Sequence, residues 1–361
     1  MPVDFTGLVA HTNPSEAYAR APGAFDRDYL RRLAQAHEAS GFARVLIGYG
    51  SIYPDGLHLG TYVTAVTERL GVMLAHRPGF VAPTLAARTL ATIDQLSDGR
   101  ASVHIISGAS DEEQQRDGDF LTKDERYERS DEYVGLLRRL WTAQSPFDHE
   151  GKYYRFKNGF TAIKPVQQPY IPINFGGSSD AAIEAAARHA DIYALFGETL
   201  AQVREQTTRV RAAAARYGRS IAFSLSLRPI LADTEEAAWQ RADDILARVK
   251  AVRAGGRLFN LGTQKSVGSL RLLEAAERGD RHDKRLWTAV ARETGAAGNS
   301  TSLVGTVDQV ADALLDYYDL GVTTFLIRGF DPLEDARAYG ALIARTKQLV
   351  AERDRTRVAA E

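Results

Sequence analysis

Two glycines and two serines, Gly176, Gly177, Ser178 and Ser179, follow the apolar stretch IPINF (171–175) and lead into an alanine-rich run with Asp180 in its first turn. The order predicts a strand, a tight turn and a helix start. An anion fits such a place, because the first helical amides lack intrahelical acceptors, the helix dipole is positive there, and two hydroxyls add donors. A plain serine cap is the other reading of the same residues. A second set is cationic. Along 221–230, Phe223, Leu225 and Leu227 alternate with Ser224, Ser226 and Arg228, so a strand here turns its apolar side to helices and Arg228 inward. Thr324, Leu326 and Arg328 likewise share one side, opposite Phe325 and Ile327. An inward guanidinium needs a partner, since a broken buried pair costs about 3–5 kcal/mol. For Arg228 an anionic ligand and an internal carboxylate fit equally well, and for Arg328 a structural salt bridge is the favoured reading. His11 could donate a proton, touch a ligand or serve packing, and His104, within SVHII, could face the same interior. No short metal-ligand spacing links the histidines and carboxylates, and no GxSxG elbow supports a serine triad. No pair of strand-end carboxylates suggests a glycosidase.

These residues need a frame that gathers them. Eight β-rich runs recur: 4–11, 43–50, 70–77, 101–108, 170–177, 191–197, 221–230 and 323–330. Helical periodicity separates them, as in FDRDYLRRLAQAHEASGF and EEAAWQRADDILARV. Repeated βαβ units require a parallel sheet, and eight of them predict a closed (β/α)₈ barrel, an α/β fold. The site then lies at the C-terminal strand ends, near His11, Tyr49, His76, Arg77, Ser107, the Gly-Gly-Ser-Ser turn, Arg228 and Arg328. Three segments exceed the minimal barrel. Residues 108–126 are acidic and read as a solvated loop, 142–169 read as a hairpin, and 253–302 form the longest excursion. Long loops in a compact fold are functional covers or mobile segments. No internal boundary divides 1–361, so a single domain with a mobile lid at 253–302 is expected.

Composition narrows the partners. The chain has 361 residues, 44% of them hydrophobic, with a formal net charge of −1. Such balance gives no general attraction to nucleic acid or acidic membrane, which leaves a small-molecule substrate. The absence of cysteine excludes disulfides and thiolate chemistry. The opening MPVDFTGLVAHTN has no signal-peptide pattern, and a cytoplasmic location is expected.

Longer motifs then carry a family likeness. The segments 77–110, 118–133 (GDFLTKDERYERSDEY), 171–182 and 301–336 resemble, in collinear order, the bacterial luciferase-like flavin monooxygenases, with the nearest look to the alkanesulfonate monooxygenase branch. The resemblance implies a TIM barrel that uses reduced FMN, supplied by a separate NAD(P)H-dependent flavin reductase, and dioxygen. It implies cleavage of the carbon–sulfur bond of a sulfonate to give an aldehyde and sulfite, and a homo-oligomer, dimer or tetramer. By position, Gly177, Ser178 and Ser179, with Tyr127, would hold the FMN phosphate. His104 and Ser107 would border the isoalloxazine ring, and His11, with the cations Arg228 and Arg328, would serve substrate and catalysis.

The departures from that branch concern the substrate. Ser226 and Arg228 stand where the branch has an arginine and a histidine, Phe330 stands for a tyrosine, and Tyr53 for a cysteine. Arg292 is the candidate for a lid arginine. Another substrate, such as a different sulfonate or a sulfone, is therefore an alternative. So are a deazaflavin-dependent oxidoreductase of the same fold and a flavin-binding protein without turnover.

Overall fold

The computed structural model describes residues 2–360 apart from 14, 19–23, 109, 256–265, 297 and 299. Eight parallel strands close into a barrel: β1 (Asp4–Val9), β2 (Arg44–Ile47), β3 (Gly71–His76), β4 (Ala101–Ile105), β5 (Ile173–Gly176), β6 (Ile192–Phe196), β7 (Ala222–Leu227) and β8 (Val322–Ile327). Seven fall within their expected runs and β8 begins one residue before its run at 323–330, and neighbours in sequence are neighbours round the barrel. The alternation on β7 places as expected: Phe223, Leu225 and Leu227 are buried in the main apolar core with the helices. Their register on β8 pairs Leu225 with Phe325 and Leu227 with Ile327, while Ser226 sits beside Leu326. Burying each such side chain contributes about 1.5–3 kcal/mol, so the outward face fixes which residues turn inward. A one-residue slip would exchange the two faces.

The extra segments are more structured than their sequence implies. Residues 142–169 hold the expected hairpin, Phe147–Glu150 against Arg155–Gly159. The acidic stretch 108–126 is not simply a loop. It contains the helix Asp111–Arg116 and the start of the helix Lys123–Thr142, which opens on a capping box made by Thr122 and Glu125. Within 253–302, the helix Val267–Arg278, the strands Arg281–His282 and Leu286–Trp287, and the helix Ala289–Thr294 are described; 256–265, 297 and 299 lie outside the described residues. Leu286–Trp287 pairs antiparallel with Ser302–Gly305, which pairs parallel with Ile230–Leu231. Trp287 and Val290 pack with Ile230, Ile245 and Phe330 in a second apolar cluster. Among the described residues, no helix is long and apolar enough to cross a membrane.

Candidate active site

The turn after β5 has the shape of an anion cradle. Ser179 caps the helix Asp180–His189, its hydroxyl accepting the Ala182 amide at 3.3 Å. Gly177 has φ +138°, and a Cβ there would lie 2.6 Å from the Ala182 Cβ and 3.0 Å from the Tyr127 hydroxyl, so only glycine fits. Tyr193 on β6, fully buried, donates its hydroxyl to the Gly177 carbonyl, and Tyr127 hydrogen-bonds Ser179. The single charge of the turn faces away, since the exposed Asp180 pairs with Arg209 at 2.6 Å. His104 lies beside this turn: its register partner on β5 is Asn174, and its Cε1 would be 3.5 Å from a Cβ on Gly176. Its Nδ1 is buried without a hydrogen-bond partner. Burial lowers its pKa from 6.5 to about 4, so the ring is neutral near pH 7.

One helix ties the two ends of this edge together. From Lys123–Thr142, the buried Arg126 donates to the Ser107 carbonyl at 3.0 Å and pairs with Asp111 at 2.8 Å, while Ser130 and Ser107 share a hydrogen bond of 2.9 Å. The next residue along, Tyr127, reaches the serine turn. Ser107 and Ser179 are thus positioned by adjacent turns of the same element.

The ends of β7 and β8 form a second cluster, organised around Glu16. Arg228 is fully buried; it pairs with Glu16 Oε2 at 2.5 Å, donates to the Gly329 carbonyl at 3.0 Å, and lies 3.4 Å above the Phe330 ring. Arg328 reaches the other carboxylate oxygen at 2.8 Å. Burial works against the Glu16 charge, but the two guanidiniums prevail and hold its pKa at about 2. Burial also lowers Arg228 to about 10, which leaves it charged. Of the two partners that sequence allowed for the inward cations, the internal carboxylate is the one present.

The remaining strand-end residues separate. His11 stacks at 5.7 Å with Phe25 and lies 6.4 Å from Tyr53, both rings being exposed. Arg77 is buried between Glu113, at 2.7 Å, and the Tyr49 ring, 4.7 Å away. His76 turns away from the mouth and bonds the Tyr133 hydroxyl at 2.7 Å, so its role is packing. Arg292 pairs with Asp280 inside the excursion. Among the described residues, Gly268 of the excursion meets the serine turn: an added Cβ would sit 3.3 Å from the Ser178 hydroxyl. Among the described residues no cluster of histidines and carboxylates could hold a metal ion. Sequence reading missed Glu16, Tyr193, Arg126, Ser130 and the Arg77–Glu113 pair. Only Arg126 had a signal, as a cation shortly after an acidic stretch.

An eight-stranded parallel barrel with a serine-capped helix start after β5 places the chain in the class of (β/α)₈ barrels. Within it, the luciferase-like monooxygenase profile matches residues 4–324, and the chain belongs to that family of flavin-dependent monooxygenases. The riboflavin lyase RcaE, solved with modified FMN and riboflavin, is similar with a TM-score of 0.78 at 20% identity over 98% of this chain and 92% of that one. DmoA from Hyphomicrobium sulfonivorans gives 0.76 at 23% identity, over 98% and 89%. The EDTA monooxygenase EmoA from Chelativorans sp. BNC1 gives 0.74 at 18% identity, over 98% and 95%. At such identities the likeness carries the fold, and it does not single out the alkanesulfonate branch.

Proposed function

We propose that the protein is a cytoplasmic, two-component monooxygenase that receives reduced FMN from a separate NAD(P)H-dependent flavin reductase and uses dioxygen to oxidise a small organosulfur compound. The observation that carries this reading is the cradle at Gly177, Ser178 and Ser179, with Tyr127 above it and the unsatisfied His104 Nδ1 beside it. In this reading the turn and Tyr127 hold the FMN phosphate, while His104 and Ser107 border the ring. Bound reduced FMN supplies the two electrons and the site for dioxygen. The chain's own part is to orient and to exclude water, because a dry pocket strengthens every polar contact inside it. The excursion is suited to closing that pocket, since Arg271 anchors the helix Val267–Arg278 to Glu198 at 2.9 Å and Gly268 stands over Ser178. We read 253–302 as the lid on these grounds, and His11, Arg228 and Arg328 as the substrate side.

Desulfonation of an alkanesulfonate is one form of this reaction, and sulfite is its readout. The test combines a flavin reductase, NADPH, FMN and a panel of sulfonates, sulfones and sulfides, with oxygen uptake and sulfite measured against a reductase-only control. Substrate-dependent oxygen uptake is expected, with tight binding of FMN measured by fluorescence quenching. Binding of a reduced deazaflavin in place of FMN, with hydride transfer and no oxygen uptake, would overturn the proposal.

A further inference from the structure

Glu16 divides its two carboxylate oxygens between Arg228 and Arg328, at 2.5 and 2.8 Å. That is the arrangement a bound carboxylate or sulfonate would adopt between two guanidiniums. The turn that carries it is fixed on both sides. The Ser15 hydroxyl accepts the Ala17 amide at 3.1 Å, Ala17 is buried in the second apolar cluster, and Tyr18 bonds Asp331, which Arg248 also pairs at 3.2 Å. The third strand-end cation is occupied in the same way, Arg77 by Glu113 at 2.7 Å. Exposed aromatic rings, Phe25 and Tyr53, flank His11 at the end of β1.

We infer that Glu16 is a specificity-determining residue: it fills the anion seat between Arg228 and Arg328 with the chain's own carboxylate, so the substrate carries no negative charge at that end of the pocket. The inference rests on the proposed monooxygenase reading for there being a substrate, but the charge selectivity is a property of the side chains. A neutral group with acceptor oxygens, such as a sulfone, can approach the partly open Arg328 side of the cluster without displacing Glu16, whereas Arg228 is fully buried. A sulfonate would have to displace Glu16 from two charge-assisted hydrogen bonds.

Methanesulfonate and dimethyl sulfone make a suitable probe pair, being nearly equal in shape and different in charge. Binding of each is measured by calorimetry on the full chain with FMN present, for the wild type, Glu16→Gln and Arg328→Gln. Glu16→Gln is expected to bind methanesulfonate at least about tenfold tighter than the wild type, with dimethyl sulfone changed less than about threefold. Arg328→Gln, a milder change at a partly open position, is expected to leave methanesulfonate binding as it is in the wild type. Two results would overturn the inference: a Glu16→Gln variant no better at binding methanesulfonate than the wild type, or a wild type that prefers the sulfonate and loses it in Arg328→Gln. Should Glu16→Gln not fold, the wild-type preference and Arg328→Gln decide alone. FMN affinity, recorded separately in the same samples, tells failure of the flavin reading from failure of the charge rule.

Discussion

At the ends of β4 and β5 the groups named for the site are uncharged: hydroxyls of Ser107, Ser178 and Ser179, a neutral His104 whose Nδ1 is buried, and a glycine held in a left-handed conformation, while the buried Arg126 is taken up by Asp111 and the Ser107 carbonyl. At the ends of β7 and β8 the groups are ions, and they are consumed by one another: Arg228, Arg328 and Glu16. The first edge presents neutral groups whose hydrogen bonds run to other neutral groups, so an anion there would have no ion pair to break. The second uses full charges whose desolvation has already been offset inside the protein. Charge in an active site therefore does not by itself indicate a charged ligand. In the proposed reading, the edge of neutral site groups is the one that receives the anion.

The largest expected effect comes from the charged edge. Arg228→Met removes a fully buried guanidinium and leaves Glu16 to Arg328 alone, so stability should fall by about 3 kcal/mol, at the lower end for broken buried pairs because Glu16 keeps one partner. Urea unfolding measures it. FMN affinity should stay within about threefold of the wild type, since Arg228 lies on the other edge. A stable variant that loses FMN would erase the distinction between the edges.

How much of this was legible follows the same division. The barrel, the inward parity of Arg228 and the serine turn were readable, because period-two alternation and a strand-turn-helix order are local signals in sequence. Glu16 was not. It lies in a turn between Ser15 and Tyr18 with no periodicity, and its meaning comes from closure of the barrel, which brings the turn after β1 beside β7 and β8. Tyr193 was invisible for a related reason. Its outward parity marks it as core, and only the fold reveals that its hydroxyl ends on Gly177. The acidic segment 108–126 misled because charge reads as solvation, whereas Asp111, Glu113 and Asp119 each pair with an arginine that is largely buried.

A smaller effect is expected at the neutral edge. Gly177→Ala puts a methyl group 2.6 Å from Ala182 in a backbone region costly to other residues, by about 1–3 kcal/mol. Because the turn must shift to admit it, FMN affinity should fall by about tenfold or more, while riboflavin, which lacks the phosphate, should lose much less. Fluorescence titration of both flavins gives the comparison. Equal losses would place the phosphate elsewhere and leave the turn as a plain cap.

The smallest effect per residue concerns pH, and it separates the edges by where they titrate. His37, His76 and His104 all have pKa values lowered by burial from 6.5 to about 4. The unfolded chain then binds more protons than the native one between those values, so their contribution is complete above about pH 6.5 and is lost as pH falls toward about 4. Glu16 behaves otherwise. Its folded pKa of about 2, against 4.5, makes its contribution disappear only as pH drops below about 4.5. Between about pH 7 and pH 5.5 the loss should be about 1 kcal/mol for each such histidine, with the Glu16 cluster intact. Imidazole NMR signals can follow this residue by residue. His37 Nδ1 already bonds the Leu33 carbonyl at 2.8 Å and His76 bonds Tyr133, whereas His104 Nδ1 has no partner. Added FMN should therefore move the His104 signals and leave the other two in place. If all three stay still while FMN binds, His104 does not border the flavin, and its unsatisfied nitrogen needs a different ligand.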